Sequence, residues 1–214
     1  MGDTIDLTAM YAMHDALRRE LAHLDRITTR ADLDPGPVVA TCAGWELFKK
    51  ALHVHHTAED DALWPVLRSN LAGHAEDLAL LEAMEAEHAA IDPLIAAVDA
   101  AALDPGADSG HLGELVDALT VGLTGHLKHE EDAALPLIRR ALTPGQWAHF
   151  GQTHAQRIGP DAPRLLPWLL DGADEQTTAV VLAPLPDPAR GAYAGAWLPA
   201  YEALDRWAAG TAAA

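Results

Sequence analysis

Residues 55–65 read HHTAEDDALWP, and 71 positions later residues 126–136 read HLKHEEDAALP. His55 aligns with His126, Glu59 with Glu130, Asp60 with Glu131, Asp61 with Asp132, Pro65 with Pro136 and Arg68 with Arg139. No other feature limits the fold so tightly. In each copy a histidine and a glutamate stand four residues apart, which stacks them on one face of an α-helix. A pattern written twice points to an internal duplication, and one architecture has to satisfy both copies.

Helical periodicity runs through most of residues 5–142. A first segment, about 5–30, spaces Leu7, Met10, Leu17, Leu21 and Leu24 by threes and fours, and LDPGP at 33–37 ends it. The second, about 44–72, carries Phe48, Leu52, His55, Glu59, Leu63 and Val66, with Gly73 as its stop. The third, 75–103, carries Leu81, Met84, His88, Ile91, Ile95 and Val98. The fourth, 112–142, carries Leu112, Leu115, Leu119, Leu123, His126, Glu130, Ala134 and Leu137. Four long helices on short loops predict an all-α, antiparallel up-down four-helix bundle over residues 1–142. Kinks are expected at Pro65, Pro93 and Pro136.

Residues 143–214 predict a C-terminal helical extension packed on the bundle. Thr143-Pro144-Gly145-Gln146 is a helix start, so one helix is expected at 144–158. Others are expected near 174–183 and 188–208. Trp147, Phe150, Trp168, Tyr193, Trp197, Tyr201 and Trp207 all lie here. Packing explains so many aromatics, with a lid or a dimer surface as the alternative.

Six inward positions are polar where the stripes are otherwise apolar: His14, His55, Glu59, His88, His126 and Glu130. Burying four imidazoles and two carboxylates is costly unless they are paired, and an isolated carboxylate would neutralise instead. One arrangement satisfies all six, a pair of metal ions bridged by the carboxylates and shared among the histidines. Imidazole and carboxylate without thiolate suit iron, manganese or zinc. Ferritin-like bundles use Glu-x-x-His, the reverse order at a different spacing, and a haem with two axial ligands leaves Glu59 and Glu130 without a role. Tyr11, Glu85 and His129 lie within a turn of the ligands, as extra ligands or, preferably, as hydrogen-bond supports. His56 sits about 100° round the helix from His55, at a helix–helix boundary, with a place among the ligands left open as the lesser alternative. Asp60, Asp61, Glu131 and Asp132 read as solvated faces. His23, His53, His74, His111, His149 and His154 read as surface or packing.

The formal net charge of −18 excludes a basic footprint for nucleic acid and disfavours an anionic membrane surface. No apolar run approaches the length of a membrane span. Cys42 is the only cysteine, which rules out a disulfide framework or a thiolate zinc site and fits a reducing cytoplasm. The start MGDTIDLTAM lacks the basic and apolar regions of a secretory signal. The expected location is therefore cytoplasmic, as a monomer or a homodimer.

His14, HHTAE at 55–59, His88 and HLKHE at 126–130 resemble the hemerythrin family, in particular bacterial hemerythrin-like proteins with the H–HxxxE–H–HxxxE cation-binding pattern. The resemblance covers about residues 5–142 and not the extension. It implies a four-helix bundle around a non-haem di-iron centre, two iron ions bridged by both carboxylates and an oxo or hydroxo group. The implied ligand is a small diatomic molecule or peroxide. Oxygen-carrying members place a second histidine on the third helix, one turn from the first, whereas Met84 and Asp92 flank His88 here. Four histidine ligands are therefore expected, with a coordination position left open, which counts against simple reversible oxygen carriage. The expected function is binding of and reaction with dioxygen, peroxide or nitric oxide in sensing, buffering or detoxification. The alternatives are a di-iron oxidoreductase acting on a small organic substrate and a structural or storage metal site.

Overall fold

The computed structural model describes residues 5–30, 32–104, 106 and 109–212, and among these there is no strand. The bundle is made by α1 (Thr8–Thr28), α3 (Ala43–Ala62) continued by α4 (Trp64–Asn70), α5 (Ala75–Leu103), and α6 (Ser109–His129) continued by α7 (Leu135–Ala141). α6 packs on α1 and α5, and α3 also packs on α1 and α5. Each helix thus has two neighbours roughly a quarter-turn apart.

A short helix, α2 (Pro35–Thr41), occupies what the sequence reading took for a connecting loop, and it packs on α5. Asp34 accepts a hydrogen bond from the Gly36 N–H, and Pro35 stands in the first turn. The residues that end α1 are also good starters, because a proline at the first helical position loses no hydrogen bond. α5 spans its expected range with Pro93 inside an unbroken helix. At Pro65 the chain breaks at Leu63, between α3 and α4. At Pro136 it instead widens into a π turn over Glu130–Ala134, closed by Leu135 N–H donating to the Glu130 carbonyl. In both places the proline lacks the N–H that would bond back one turn, and the preceding turn absorbs the defect.

The polar layer divides the bundle core in two. On one side lie Leu17, Leu21, Trp45, Phe48, Leu52, Ile91, Val98, Leu119 and Leu123. On the other lie Leu7, Met10, Leu63, Trp64, Leu67, Leu81, Met84, Leu135 and Ile138. His14, His55, His88, His126, Glu59 and Glu130 fall between them in sequence on every helix, so apolar side chains close the layer from above and below.

The extension starts with α8 (Pro144–Ile158), opened by a capping box in which Thr143 and Gln146 bond reciprocally. After a 3-10 turn at Gly159–Asp161 come α9 (Ala162–Leu170), α10 (Glu175–Leu182), α11 (Asp187–Ala192), a π turn at Tyr193–Trp197 and α12 (Leu198–Glu202). α9 was not expected from PDAPRLLPWLLDGAD, because three prolines masked its apolar face. The last helical stretch ends at Glu202, short of the expected 208.

α8 packs on α3, α9 on α1 and α3, and α10 on α1. Arg19 donates to the carbonyls of Asp171 and Trp168 at 2.6 and 2.7 Å. The fully buried Glu20 accepts from Trp207 Nε1 at 2.9 Å and from Arg19 Nε at 2.7 Å. The chain end also supplies the start of α3, whose cap residue Cys42 makes no side-chain cap. Ala43 N–H donates to Thr211 Oγ1, and Gly44 N–H donates to the Arg206 carbonyl at 2.6 Å. A Cβ on Gly44 would lie 2.5 Å from the Trp207 ring, so only glycine lets the two pack. No described helix is long and apolar enough to cross a membrane.

Candidate metal centre

α1 supplies His14, α3 supplies His55, His56 and Glu59, α5 supplies His88, α6 supplies His126, and the π turn supplies Glu130. All seven are buried, none exposed beyond 5 %. They form two donor sets, His14–His55–Glu130 and His56–His88–His126, and within each set one donor atom per residue lies within 4.8 Å of the others. Glu59 stands between them. Its Oε1 is 3.5 Å from His55 Nδ1 in one set, and its Oε2 is 3.5 Å from His88 Nε2 in the other. All six residues expected from the sequence are therefore brought together.

His56, outside the six inward positions and open as a ligand on sequence grounds, completes the second set. Its ring stacks on His88 at 3.9 Å between centroids and meets His126 edge-on at 5.3 Å. The third imidazole of this set thus comes from α3, while Met84 and Asp92 still flank His88 on α5. The signal was the His55-His56 doublet itself. In a square bundle an inner helix faces two neighbours, so residues about 100° apart can both point inward. His55 meets His14 of α1 at 5.3 Å, and His56 meets His88 of α5.

Three carboxylates hold the outer edges of the ring nitrogens. His14 Nδ1 is 2.8 Å from Glu131 Oε1, His88 Nδ1 is 2.8 Å from Asp60 Oδ1, and His126 Nδ1 is 2.9 Å from Glu87 Oε2. An ionised carboxylate only accepts, so each Nδ1 carries a proton; in a neutral ring Nε2 then turns a lone pair inward, and His14 does so once a metal takes the place of its second proton. Asp60 and Glu131 are accordingly not solvated faces, as the sequence suggested, but supports of the kind that orient metal-binding histidines. Of the three residues proposed as supports, His129 acts one step out by donating to Glu87 at 2.8 Å. Glu85 pairs with Arg68 instead, and Tyr11 is 40 % exposed. His154 of α8 packs edge-on over His55 at 6.3 Å, so it belongs to the wall of the centre and not to the surface.

The centre fits a cation because most of its inner atoms lack a hydrogen-bond partner. His14 Nε2, His55 Nε2, His56 Nε2 and both oxygens of Glu59 and of Glu130 are buried without a hydrogen bond. His88 Nε2 and His126 Nε2, both lone-pair bearing, face each other at 3.1 Å. Two lone pairs at that distance repel unless positive charge lies against them. Nitrogens sharing one ion at about 2.1 Å stand about this far apart when at right angles. His14 Nε2 and Glu130 Oε2 are also 3.1 Å apart, an ion pair while His14 is protonated.

The protonation states favour donors over charges. Burial and the neighbouring imidazoles of His14 and His56 push His55 well below its ordinary value. Burial and His88 do the same to His56, and burial lowers His126 against the pull of Glu130. Burial and the charge of Glu130 raise Glu59 well above the usual carboxylate range. His14 is the exception. Burial pushes it down, but Glu130 and Glu131 outweigh that and raise it to about 9. Glu130 is held low by His14 despite its burial. Without a metal, one proton on His14 is the cation of the layer.

A helical bundle whose sealed middle gathers imidazole and carboxylate donors in two adjoining sets is built to bind metal. The family model of the hemerythrin HHE cation binding domain matches residues 6–138, and the chain belongs to that family. No curated protein and no solved structure gives a match.

Proposed function

We propose that the chain is a non-haem di-iron protein that binds and reacts with dioxygen or related small oxidants, peroxide and nitric oxide among them. His14, His55 and Glu130 would hold one ion, His56, His88 and His126 its neighbour, and Glu59 reaches toward both. The observation that carries this reading is the pair of buried donor sets joined by one carboxylate, their inner atoms without partners. Two ferrous ions, when bound there, would supply the electrons that reduce a small oxidant.

The chain's own residues prepare the place. Glu131, Asp60 and Glu87 keep the Nδ1 protons of His14, His88 and His126, so their Nε2 lone pairs stay turned inward. The apolar clusters on either side exclude water, which strengthens every electrostatic contact in the layer. Three or four protein donors per ion leave positions free for a small ligand, the condition for a reactive site over a closed structural one. A groove between α3 and α5 reaches His56 and His88. Its wall mixes acidic and aliphatic side chains with Lys49, His53 and Thr57 and holds no aromatic of the extension, which favours a small inorganic ligand over an organic substrate.

The test is iron analysis combined with visible absorption. Protein produced with ample iron should hold two irons per chain, and its reduced form should change spectrum on adding dioxygen or peroxide. Zinc in place of iron, or an iron-loaded protein indifferent to both oxidants, would contradict the proposal.

A further inference from the structure

The two halves of the bundle differ in how they meet solvent. On α1, Arg18 stands one turn beyond His14, and it donates to Glu131 Oε1 at 2.8 Å. That contact ties the outer support of His14 to a cation and closes the face. On α5 the position one turn beyond His88 is Asp92, an acid where the other half has a base. Asp92 is exposed and makes no ion pair or hydrogen bond among the described residues. Asp60, the outer support of His88, consequently has no cation over it. It borders a groove of about 530 Å3 between α3 and α5.

The groove is acidic. Asp60, Glu85, Asp92 and Asp99 line it; Glu85 is paired with Arg68 and Asp99 with Lys49, which Glu46 also holds, at 3.0 and 2.7 Å, so Asp60 and Asp92 are the two without a Lys or Arg partner. At its floor lie His56 and His88, the most exposed members of the centre at 5 % and 4 %. The Nε2 of His56 is buried without a partner. A cleft lined by one sign of charge concentrates the opposite sign and speeds its arrival.

We infer that this groove is the route by which divalent cations reach the centre, with Asp92 and Asp60 as its docking carboxylates, and that the His56–His88–His126 set loads first. The inference rests on the reading of the centre as a cation site. On the other face Arg18 covers Glu131, and the His14 set fills from within. The uncapped carboxylates also explain why the support of His88 is 38 % exposed and that of His14 only 21 %.

The experiment follows cobalt(II) uptake by metal-free full-length protein in a stopped-flow spectrometer, reading the ligand-field absorption that grows as imidazoles bind. At low ionic strength Asp92→Asn should slow the faster phase by roughly threefold to tenfold, and Asp92→Lys by more. The gap should close near ~0.5 M salt, where exposed charges are screened. Both variants should still bind two ions at equilibrium. Glu175→Gln, an equal charge change on the exposed start of α10, should load like the parent. Uptake by Asp92→Asn at the parent rate, or slowed no more than in Glu175→Gln, would overturn the route while leaving the centre intact. A parent protein that takes up no cobalt would overturn the metal reading itself, and the route with it.

Discussion

The first copy of the repeated motif, on α3, and the second, on α6, bring matching residues to the centre by different backbones. After Glu59 the chain breaks at Leu63 and restarts as α4, whereas after His129 it runs through a π turn that contains Glu130. The first copy has His56 where the second has Leu127, and the second has His129 where the first has Ala58. The supports are exchanged between the copies. Asp60 of the first holds His88, and its counterpart Glu131 of the second holds His14. Glu87 under His126 has no such counterpart, because the matching position before His14 is Met13. Duplication explains the frame. Single replacements on it make one end rich in imidazole and open to a groove, the other mixed in donors and sealed by Arg18.

The comparison breaks most completely at Glu59, the one side chain near both sets. Glu59→Ala should abolish the coupled pair, Glu130→Ala should weaken the His14 set, and iron per chain should fall below two in both. Full iron content in Glu59→Ala would remove the bridging assignment. His56→Leu, which writes the second copy's residue into the first, should empty or weaken the imidazole-rich end alone. Its loss of affinity, read by competition with a chelator, should exceed that of any support variant. Asp60→Asn and Glu131→Gln should each weaken cation binding by about 10–100-fold, and each at the set holding its own histidine. Equal losses at both sets would deny the exchange of supports. The smallest effect is expected far from the centre, where the extension caps α3. Gly44→Ala forces Trp207 out of its place and should cost about 1–3 kcal/mol of stability by thermal melting. Iron content should stay unchanged.

The helices were legible where period and caps agreed. α5 and α8 fall within a residue of expectation because their stripes are unbroken and because Thr143 and Gln146 mark a start. α2 and α9 were hidden by prolines, which serve as first-turn residues as readily as terminators. The six polar positions were legible because a charge on an apolar stripe has few structural excuses, and here it occurs twice at one spacing. His56, Asp60 and Glu131 escaped for a shared reason. Each is one residue after a ligand, about 100° round its helix, and a stripe drawn as a single line leaves such neighbours outside. Helix packing makes the inward face wide enough for both, as α3 touching α1 and α5 together illustrates. The different answers to Pro65 and Pro136 were also beyond the sequence. The same lost hydrogen bond can be absorbed by a break or by a π turn, and the packing around the turn decides which.

Mössbauer spectroscopy of the iron-57 protein reads the central claim most directly, since it counts distinct irons and senses their coupling. Two iron sites per chain, antiferromagnetically coupled in the oxidised protein and distinguishable in their parameters, are the expected result. A spectrum of one isolated high-spin ion, or of iron bound without coupling, would contradict a centre in which Glu59 stands between two ions.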